Sequence, residues 1–505
     1  MKLKLQLVLK GIIMIFINFK NEFNFEYDIQ ALIRGFYPGE ELKSIMPGEK
    51  IEACDESIRF IVSFYYFADN INIEVEDCSG NILIDKRVKT DYSDRKETKN
   101  ILKRALYDVL SEITGKELPW GTLSGIRPTK ITSALLESGM KKEIAKKYIK
   151  DTYYISEEKA KLSLEISANE IEILKEIDYE QGYSLYIGIP FCPTTCLYCS
   201  FTSYPITRYK EKVWAYIDAV CKEIDYISEE FKDKILNTIY IGGGTPTTLE
   251  PEMLDKLLGK IVNSFNLCDL KEFTVEAGRP DSITVDKLKV IKKYNVTRIS
   301  INPQTMKQET LDIIGRRHSV SQVIESFKCA RGLGFDNINM DFIMGLPGES
   351  IEDVKYTMEE TKKLMPDSIT IHSLAIKRAA RLNIFKDKYK DYEYVNGEEN
   401  MQLTYKTARE MGMEPYYLYR QKNMTGNMEN VGYSVKGKAG IYNILIMEEK
   451  QPIIALGAGA STKLVYPGGE RIERVENVKD VNEYINRIEE MIERKRGAII
   501  EWKKI

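Results

Sequence analysis

The segment YIGIPFCPTTCLYCSFTSYP, residues 186–205, decides how this chain is interpreted. It places Cys192, Cys196 and Cys199 in one loop directly after a short apolar run. The other five of the eight cysteines stand alone in segments with the pattern of strands or helices, where a lone cysteine is most often a small core residue. They are Cys54, Cys78, Cys221, Cys268 and Cys329. Only the group of three therefore needs a chemical explanation.

The spacing C-x3-C-x2-C can be compared with the needs of known metal and redox sites. A structural zinc ion takes four tetrahedral ligands, and the two histidines, His318 and His372, lie in distant loops. A redox dithiol formed by Cys196 and Cys199 would leave Cys192 without a role. Iron–sulfur cubes are held by cysteine thiolates, and three protein ligands leave one iron open for a small molecule. The spacing favours an iron–sulfur cluster over zinc and over a purely structural group of cysteines.

Short apolar segments alternate with amphipathic helical segments around the cysteine loop. The apolar segments begin near residues 184, 238, 272, 298, 338 and 368. This alternation predicts βα units and a parallel sheet. Six units are too few for a closed eight-stranded barrel, so we expect an α/β fold with a partial (β/α)6 barrel and functional loops at the carboxyl ends of its strands. The cysteine loop follows the first strand, and GGGTP, EAGRP, NPQT and GLPGE follow the next four.

At 505 residues the chain is too long for one ordinary domain. We predict an N-terminal α/β and helical extension over residues 1–178, the partial barrel over 179–385, and an α-rich C-terminal module over 386–505. In the extension, strands are expected near 11–19, 58–67 and 69–75. A helical stretch is expected from about 98 to 178, interrupted by the turn-rich segment 118–130.

Composition excludes some classes of partner. A net charge of −3 and a pI of about 5.9 favour neither nucleic acid nor an anionic membrane as a partner. Lys10 interrupts the apolar run within the first twenty residues, and no small-residue cleavage site follows, so we expect a strand there rather than a signal peptide or a membrane span. The sequence predicts a cytoplasmic protein whose cysteines are thiols or metal ligands.

The cysteine triplet, with Tyr198 before its last member, resembles that of the radical S-adenosylmethionine (SAM) superfamily. Within it, residues 180–465 resemble the oxygen-independent coproporphyrinogen III oxidase family, most closely the longer HemZ-like branch with its PWGTLSGIRPTK-like segment. The resemblance implies one [4Fe–4S] cluster on Cys192, Cys196 and Cys199, whose open iron chelates SAM. The chemistry is then carried by a 5′-deoxyadenosyl radical, and no side chain is assigned as catalytic.

The same resemblance implies side chains that contact one or two SAM molecules. These are Tyr186, Tyr198, Gly243, Gly244, Thr245, Glu276, Gln304, Arg316, Asp341 and Ala375. Several have a structural alternative: the glycine run can be a tight turn, and a carboxylate such as Asp341 on an apolar strand can be paired within the protein. The role of Arg279 stays open between the site and a surface salt bridge. His318 is interpreted as a polar residue at a helix end.

The implied reaction is oxidative decarboxylation of two propionates of coproporphyrinogen III, giving protoporphyrinogen IX in heme biosynthesis. The implied partners are this tetrapyrrole, an electron donor such as flavodoxin or ferredoxin, and an electron acceptor whose identity is open. Four substrate carboxylates call for cationic side chains. The candidates are Arg127, Arg316, Arg420 and Lys422.

Two alternatives to this reaction remain. One is another radical SAM reaction on a tetrapyrrole, since Phe201 stands where many dehydrogenases of the family carry a further cysteine. The other is a heme-binding chaperone, the role of a sister branch that has a histidine where this chain has Glu429 before Asn430. The glycine loop LGAGAST, residues 456–462, resembles a segment that caps the site from the C-terminal module.

Overall fold

The computed structural model describes residues 14–51, 57–125, 127–421, 424–469 and 471–504. The chain forms two compact units, Met1–Leu164 and Glu165–Ile505. This division falls fourteen residues before the predicted boundary at 178, which stays a prediction, as does the boundary at 385. Cys54, Lys422 and the first thirteen residues lie outside the described ranges, and with them the start of the predicted N-terminal strand.

The first unit contains a five-stranded sheet and the helices that follow it in the chain. Its strands, in the spatial order β2-β1-β3-β4-β5, are β1 (Met14–Phe19), β2 (Glu41–Ile45), β3 (Ile58–Tyr66), β4 (Asn70–Glu76) and β5 (Ile82–Lys89). Its helices are α1 (Glu26–Phe36), α2 (Arg95–Thr114), α3 (Thr129–Glu137) and α4 (Lys142–Tyr153), and α5 (Glu157–Leu174) crosses into the second unit. The predicted strands at 58–67 and 69–75 and the break between helices at 118–130 are confirmed.

Two strands of this sheet, β2 and β5, were not predicted from the sequence. Both lie at an edge, and both carry charged side chains, as in the segments ELKSI and ILIDKRVK. Charged edge strands discourage pairing with other chains, but they also hide the apolar alternation by which a strand is recognised.

The second unit is built on an eleven-stranded sheet. Its six central strands are parallel neighbours, as predicted: β6 (Gly182–Ile189), β9 (Ile235–Gly243), β10 (Glu272–Gly278), β11 (Arg298–Ile301), β12 (Ile338–Met344) and β13 (Ser368–Ser373). Two short strands, β7 (Phe191–Cys192) and β8 (Tyr204–Pro205), pair with each other beside this sheet. The intervening helices are α6 (Val213–Glu230), α7 (Pro251–Ser264), α8 (Val285–Lys293), α9 (Gln308–Ile313), α10 (Val320–Gly332) and α11 (Ile351–Leu364).

The C-terminal part extends the sheet at both ends. The strands β14 (Glu414–Tyr419) and β15 (Asn430–Ser434) add to β13, while β16 (Ile453–Leu456), β17 (Ser461–Val465) and β18 (Ile472–Glu476) add to β6. Its helices are α12 (Arg381–Ile384), α13 (Glu398–Glu410), α14 (Ile441–Glu448), α15 (Val481–Asn486) and α16 (Ile488–Lys503). The sequence predicted this module as α-rich and did not predict that its strands complete the barrel sheet. No helix among the described residues has the length and apolar character needed to span a membrane.

The inner face of the parallel strands is polar, although the strands themselves are buried. Side chains two positions apart point to the same face of a strand. On β11 and β12 this places Arg298, Ser300, Asn339 and Asp341 on the concave side, where they line a cavity. The opposite face carries apolar residues such as Ile299, which is fully buried. The sheet therefore stabilises the unit through one face and forms a ligand-sized cavity with the other.

Candidate functional site

The carboxyl ends of the parallel strands surround a cavity of about 570 Å³ in the second unit. All thirteen predicted site residues line it, namely Cys192, Cys196, Cys199, Tyr186, Tyr198, Gly243, Gly244, Thr245, Glu276, Gln304, Arg316, Asp341 and Ala375. Their convergence is a finding of the structure, because they come from seven different segments of the chain. Which ligand each one contacts remains a prediction.

Backbone pairing and an apolar anchor hold the cysteine loop. Its two ends are joined by the short strands, where Phe191 pairs with Tyr204 and Cys192 with Pro205. Between the second and third cysteines, Leu197 is only 5% exposed and packs into an apolar cluster with Leu311, Ile314, Ile343, Leu346, Leu374 and Leu382. The Leu197 N–H also donates to the Ile314 carbonyl at 3.0 Å. The loop is therefore shaped by the protein itself.

Polar groups approach each of the three sulfur atoms. Thr245 Oγ1 donates to Cys192 Sγ at 3.5 Å, Arg279 Nη1 lies 3.8 Å from Cys196 Sγ, and Ser203 Oγ lies 4.0 Å from Cys199 Sγ. Hydrogen bonds to the sulfurs are a means by which a protein tunes an iron–sulfur cluster.

The state of the thiols argues against a redox dithiol. Burial raises the pKa of the Cys199 thiol, one member of the alternative dithiol, and a thiol with a raised pKa is less available as the nucleophilic thiolate. Burial also raises the pKa of the Cys192 thiol to about 11. Within the described parts of the chain, no three His, Cys, Asp or Glu side chains converge to hold a single metal ion. Three thiols that share one cavity wall without meeting at a point suit a cluster, in which each cysteine binds a different iron. The donor set fits a [4Fe–4S] cluster.

The glycine run Gly242–Gly244 lies at the carboxyl end of β9 and packs against the start of the cysteine loop. The Gly244 N–H donates to the Ile189 carbonyl and the Thr245 N–H to the Phe191 carbonyl, both at 2.7 Å. These two amides thus bind the backbone at the end of β6 and the start of β7, and Gly243 and Gly244 also line the cavity. A contact with SAM at these positions stays a prediction.

Gly244→Ala is expected to disturb the cysteine loop. A Cβ at this position would lie 2.6 Å from the Phe191 carbonyl oxygen, so the backbone next to Cys192 must move. We expect a loss of about 1–3 kcal/mol of stability together with reduced iron loading, measured by thermal unfolding and by iron analysis after anaerobic reconstitution. Gly497→Ala on α16, where a Cβ meets no atom within 4 Å, is the control. Wild-type iron content and thermal midpoint in Gly244→Ala would contradict this account.

Glu276 lies in the cavity wall beside three stacked tyrosines. Tyr240 donates a short hydrogen bond to Glu276 Oε1, and its ring centroid lies 4.5 Å from that of Tyr442 and 6.2 Å from that of Tyr186. Burial raises the pKa of Glu276 to about 7; the Tyr240 hydroxyl opposes this shift and the Asp341 carboxylate adds to it. A carboxyl group with this pKa changes its charge near neutral pH.

Gln304 and Asp341 are brought together by backbone pairing. Gln304 has a left-handed φ of +73° and is 6% exposed. Its N–H donates to the Asp341 carbonyl, and its own carbonyl accepts from the Ile343 N–H, both at 3.0 Å. The Asp341 carboxylate accepts from Asn339 Nδ2 at 2.7 Å and has His372 Nε2 at 3.9 Å. Both the structural and the ligand-binding interpretations of Asp341 are compatible with this arrangement.

Arg316 is held by two hydrogen bonds within the protein and has one further N–H group for which no acceptor is described. One of its amino groups donates to the Asn302 carbonyl, and Nη2 donates to the Tyr198 hydroxyl at 3.2 Å. Its Nε is buried and has no hydrogen-bond acceptor in the part of the chain that the structure describes. A buried guanidinium N–H without a partner is costly, so this atom supports a polar ligand in the cavity.

A buried ion pair contacts the glycine loop LGAGAST through the backbone of Gly457. Glu223 on α6 and Lys495 on α16 are both fully buried, with 2.6 Å between Oε1 and Nζ. Glu223 Oε2 accepts from the Gly457 N–H at 2.8 Å, and Asn477 Nδ2 donates to the Gly457 carbonyl at 2.9 Å. Gly459, Ala460 and Ser461 of this loop line the cavity. The C-terminal helix thus positions one wall of the site.

Some residues do not lie where the sequence interpretation put them. Arg279 is 3% exposed and lines the cavity, so a surface salt bridge is excluded. His318 lies two residues before α10, next to a helix end as expected, and it is buried, with 1% of its surface exposed. Arg420 is bound to Asn427 outside the cavity lining, and Arg127 belongs to the first unit.

Sequence reasoning also missed side chains that line the cavity. They are Tyr240, Arg298, Lys377, Tyr442 and Lys463. Arg298 is a charged side chain on a buried strand, and this was the available signal, as it was for Asp341. Tyr240 lies on a strand that also contains Asn237 and Thr238, so it gave no comparable signal.

Three comparisons relate the chain to known proteins. The family model for the radical SAM superfamily matches residues 186–361. The oxygen-independent coproporphyrinogen-III oxidase-like protein HemZ of Bacillus subtilis is 43% identical over 404 residues, which cover 79% of this chain and 81% of that protein. The heme chaperone HemW of the same organism is 32% identical over 312 residues, 61% of this chain and 76% of that protein. Among solved structures, coproporphyrinogen III oxidase (HemN) from Escherichia coli, a radical SAM enzyme, matches with a TM-score of 0.51 and 21% identity, over 63% of this chain and 72% of that one.

Proposed function

Because the chain belongs to the radical SAM superfamily and, within it, to the HemZ-like branch of the oxygen-independent coproporphyrinogen III oxidase family, we propose that it oxidatively decarboxylates coproporphyrinogen III to protoporphyrinogen IX. The observation that carries the proposal is the convergence of three cysteines and ten predicted SAM contacts on one cavity. The superfamily implies a [4Fe–4S] cluster and SAM, and one or two SAM molecules remain part of the proposal.

In this proposal the protein's own groups bind, orient and shield. Cys192, Cys196 and Cys199 hold the cluster, which together with SAM supplies a 5′-deoxyadenosyl radical able to abstract hydrogen. Glu276 accepts hydrogen bonds from SAM, and Arg316 offers to a carboxylate its Nε, which has no acceptor among the described residues. Each decarboxylation removes a hydrogen atom from the propionate β-carbon, releases CO2 and passes one electron to an acceptor. Burial of the cavity wall keeps water away from such a reactive species.

Cationic groups in the cavity suit a substrate with four carboxylates. Lys377 is half-buried, with its Nζ 5.7 Å from the centre of the Phe201 ring, and burial lowers its pKa. Phe201 is 70% exposed. In the proposed substrate, apolar pyrrole rings carry carboxylate side chains. The Phe201 ring can contact a pyrrole ring while the neighbouring Lys377 ammonium group pairs with a carboxylate. We propose Lys377 as a carboxylate anchor in addition to Arg316.

A heme-binding chaperone is the second candidate because HemW is among the relatives. In the segment MENVGYS, Glu429 is fully buried and the Asn430 side chain accepts from the Ser373 N–H at 2.9 Å. These two residues therefore offer no exposed axial ligand for heme iron. Another radical SAM reaction on a tetrapyrrole is the third candidate. The proposed electron donor, such as flavodoxin or ferredoxin, and the cytoplasmic location follow from the family resemblance.

An anaerobic assay separates the three candidates. The reconstituted full chain is mixed with SAM, a low-potential reductant, coproporphyrinogen III and an electron acceptor, and the products are followed by mass spectrometry. We expect loss of two carboxyl groups together with 5′-deoxyadenosine. Formation of 5′-deoxyadenosine with intact porphyrinogen would favour another tetrapyrrole substrate. Absence of SAM cleavage, combined with heme binding, would favour the chaperone.

SAM affinity is expected to depend on pH through Glu276. With a pKa raised to about 7, this group is protonated below that pH and can no longer accept hydrogen bonds as a carboxylate. Affinity should therefore fall about tenfold per pH unit below 7 and level off above it, because one proton is linked to binding. The titratable and charged groups around Glu276 are Tyr240, Asp341, Arg298, Tyr186 and Tyr442. Binding is measured by calorimetry on both sides of pH 7.

Tyr240→Phe tests this assignment. Removing the hydroxyl that stabilises the ionised carboxylate should move the midpoint of the pH dependence upward. Tyr442→Phe is the matched control, because Tyr442 stacks on Tyr240 and makes no described hydrogen bond to Glu276. A wild-type affinity that is independent of pH would contradict the role of Glu276.

A further inference from the structure

We propose that Arg279 is a positioning residue that tunes the iron–sulfur cluster through Cys196, and that it makes the cluster easier to reduce. The inference rests on the proposed cluster site and names a residue outside the set of predicted SAM contacts. It concerns the segment EAGRP at the carboxyl end of β10, whose arginine had no assigned role.

The contacts of Arg279 divide its guanidinium into two sides. Nε donates to Asp281 Oδ1 at 2.9 Å and Nη2 to Asp281 Oδ2 at 2.7 Å, which fixes the plane of the group. On the other side, Nη1 donates to Thr194 Oγ1 at 2.7 Å and lies 3.1 Å from the Thr194 carbonyl and 3.8 Å from Cys196 Sγ. One end of the group is anchored, and the other faces the cysteine loop.

The backbone around Arg279 fixes the direction of its side chain. Gly278 has a φ of +67°, and a Cβ there would press on Thr245 at 3.3 Å. Pro280 begins a single helical turn, Pro280–Ser282, in which the Ser282 N–H donates to the Arg279 carbonyl at 2.9 Å. Lys287 Nζ in turn donates to the Ser282 carbonyl at 3.3 Å. The backbone at Arg279 is therefore held by hydrogen bonds on its C-terminal side, and the residue is 3% exposed.

Burial makes the charge of this group effective. A buried charge is screened far less than a surface charge, so a guanidinium beside a cysteine ligand acts strongly on it. Reduction of a [4Fe–4S] cluster adds one negative charge, and both a nearby cation and an N–H···S contact stabilise the more negative state. Asp281 works in the opposite direction, because its carboxylate neutralises part of the arginine charge. The pair thus sets the cluster potential, with Arg279 raising it.

The test measures the midpoint potential of the reconstituted full chain by dithionite titration, with the one-electron reduced cluster detected by EPR. Arg279→Gln is expected to lower the equilibrium constant for reduction of the cluster at least tenfold. This corresponds to a fall of about 59 mV in the midpoint potential of a one-electron couple. Asp281→Asn should shift the potential in the opposite direction, because it removes a negative charge and keeps an acceptor for Arg279. Arg279→Lys, which keeps the charge but not the fork, should recover part of the fall.

A purely structural role is distinguished by a further variant. Thr194→Val removes the hydroxyl acceptor while leaving the guanidinium charge in place, so it is expected to move the potential much less than Arg279→Gln. If Arg279→Gln fails to fold, Arg279→Lys and Asp281→Asn still give shifts of opposite sign. An unchanged potential in Arg279→Gln with full iron content, or shifts of the same sign in Arg279→Gln and Asp281→Asn, would overturn the inference.

The same preparations separate this inference from the proposed reaction. A wild-type chain that forms no cluster overturns both. A wild-type chain that forms a cluster without decarboxylating coproporphyrinogen III overturns the reaction alone, because the potentials of the variants are measured without substrate.

Discussion

Cys192→Ala, Cys196→Ala and Cys199→Ala are each expected to abolish SAM cleavage. Each cysteine supplies one thiolate to a different iron, and among the cysteines that the structure describes these three are the ones that line the cavity. The measured quantities are iron content, the visible absorption of the cluster and 5′-deoxyadenosine, all under anaerobic conditions. We expect 5′-deoxyadenosine to fall below detection in all three variants.

Cys221→Ala provides the matched control. Cys221 lies on α6, is partly buried and is absent from the cavity lining, so its removal should leave cluster formation and SAM cleavage unchanged. Wild-type turnover in any one of the three loop variants would remove the basis of the cluster assignment. Loss of activity in Cys221→Ala alone would point to a second site.

Lys495→Met is expected to cause the largest loss of stability. The variant fills a similar volume but leaves the Glu223 carboxylate buried without its cation, and breaking a buried ion pair in this way costs about 3–5 kcal/mol. Urea unfolding of the full chain, followed by tryptophan fluorescence and circular dichroism, measures the change. Because Glu223 also binds the Gly457 N–H, the glycine loop should loosen and SAM affinity should fall in the same variant.

Lys222→Met is the control for this prediction. Its partner Glu489 lies at 2.9 Å, but the two side chains are 56% and 76% exposed. An exposed pair of this kind contributes about 0–1 kcal/mol. Equal destabilisation in Lys222→Met and Lys495→Met would show that the burial of the second pair has no energetic consequence. The double variant Glu223→Gln with Lys495→Met should recover part of the loss, since it removes the unpaired charge.

The sequence predicted the parts of the fold that leave a local pattern. Alternating apolar and helical segments identified the six parallel strands, and the spacing of three cysteines identified the loop after the first of them. The pairing of β16 with β6 has no local signal, because IIAL is a four-residue apolar run like many buried segments. The place of β16 beside β6 depends on contacts between residues that are far apart in the sequence, and a local sequence pattern does not reveal such contacts.

For the site, the sequence named residues whose contacts with ligands stay a prediction, while their convergence on one cavity is observed. Family resemblance named residues such as Glu276 and Arg316, and the structure brings them into one cavity. Arg279 could not be interpreted from its neighbours, because the Thr194 that it contacts lies 85 residues earlier. Tyr240 and Arg298 were taken as members of apolar strands, and their place in the cavity lining appears only in the folded structure.

The two-sided extension of the sheet has a consequence for biosynthesis. Gln451 Nε2, just before β16, donates to Ser184 Oγ at the start of β6, and 267 residues separate the two. Until that late segment leaves the ribosome, the first barrel strand has one bare edge, and bare edges are where nascent chains aggregate. Pairing over such a separation is also slow. The cysteine loop, which follows that strand, thus reaches its final surroundings only after most of the polypeptide has been made.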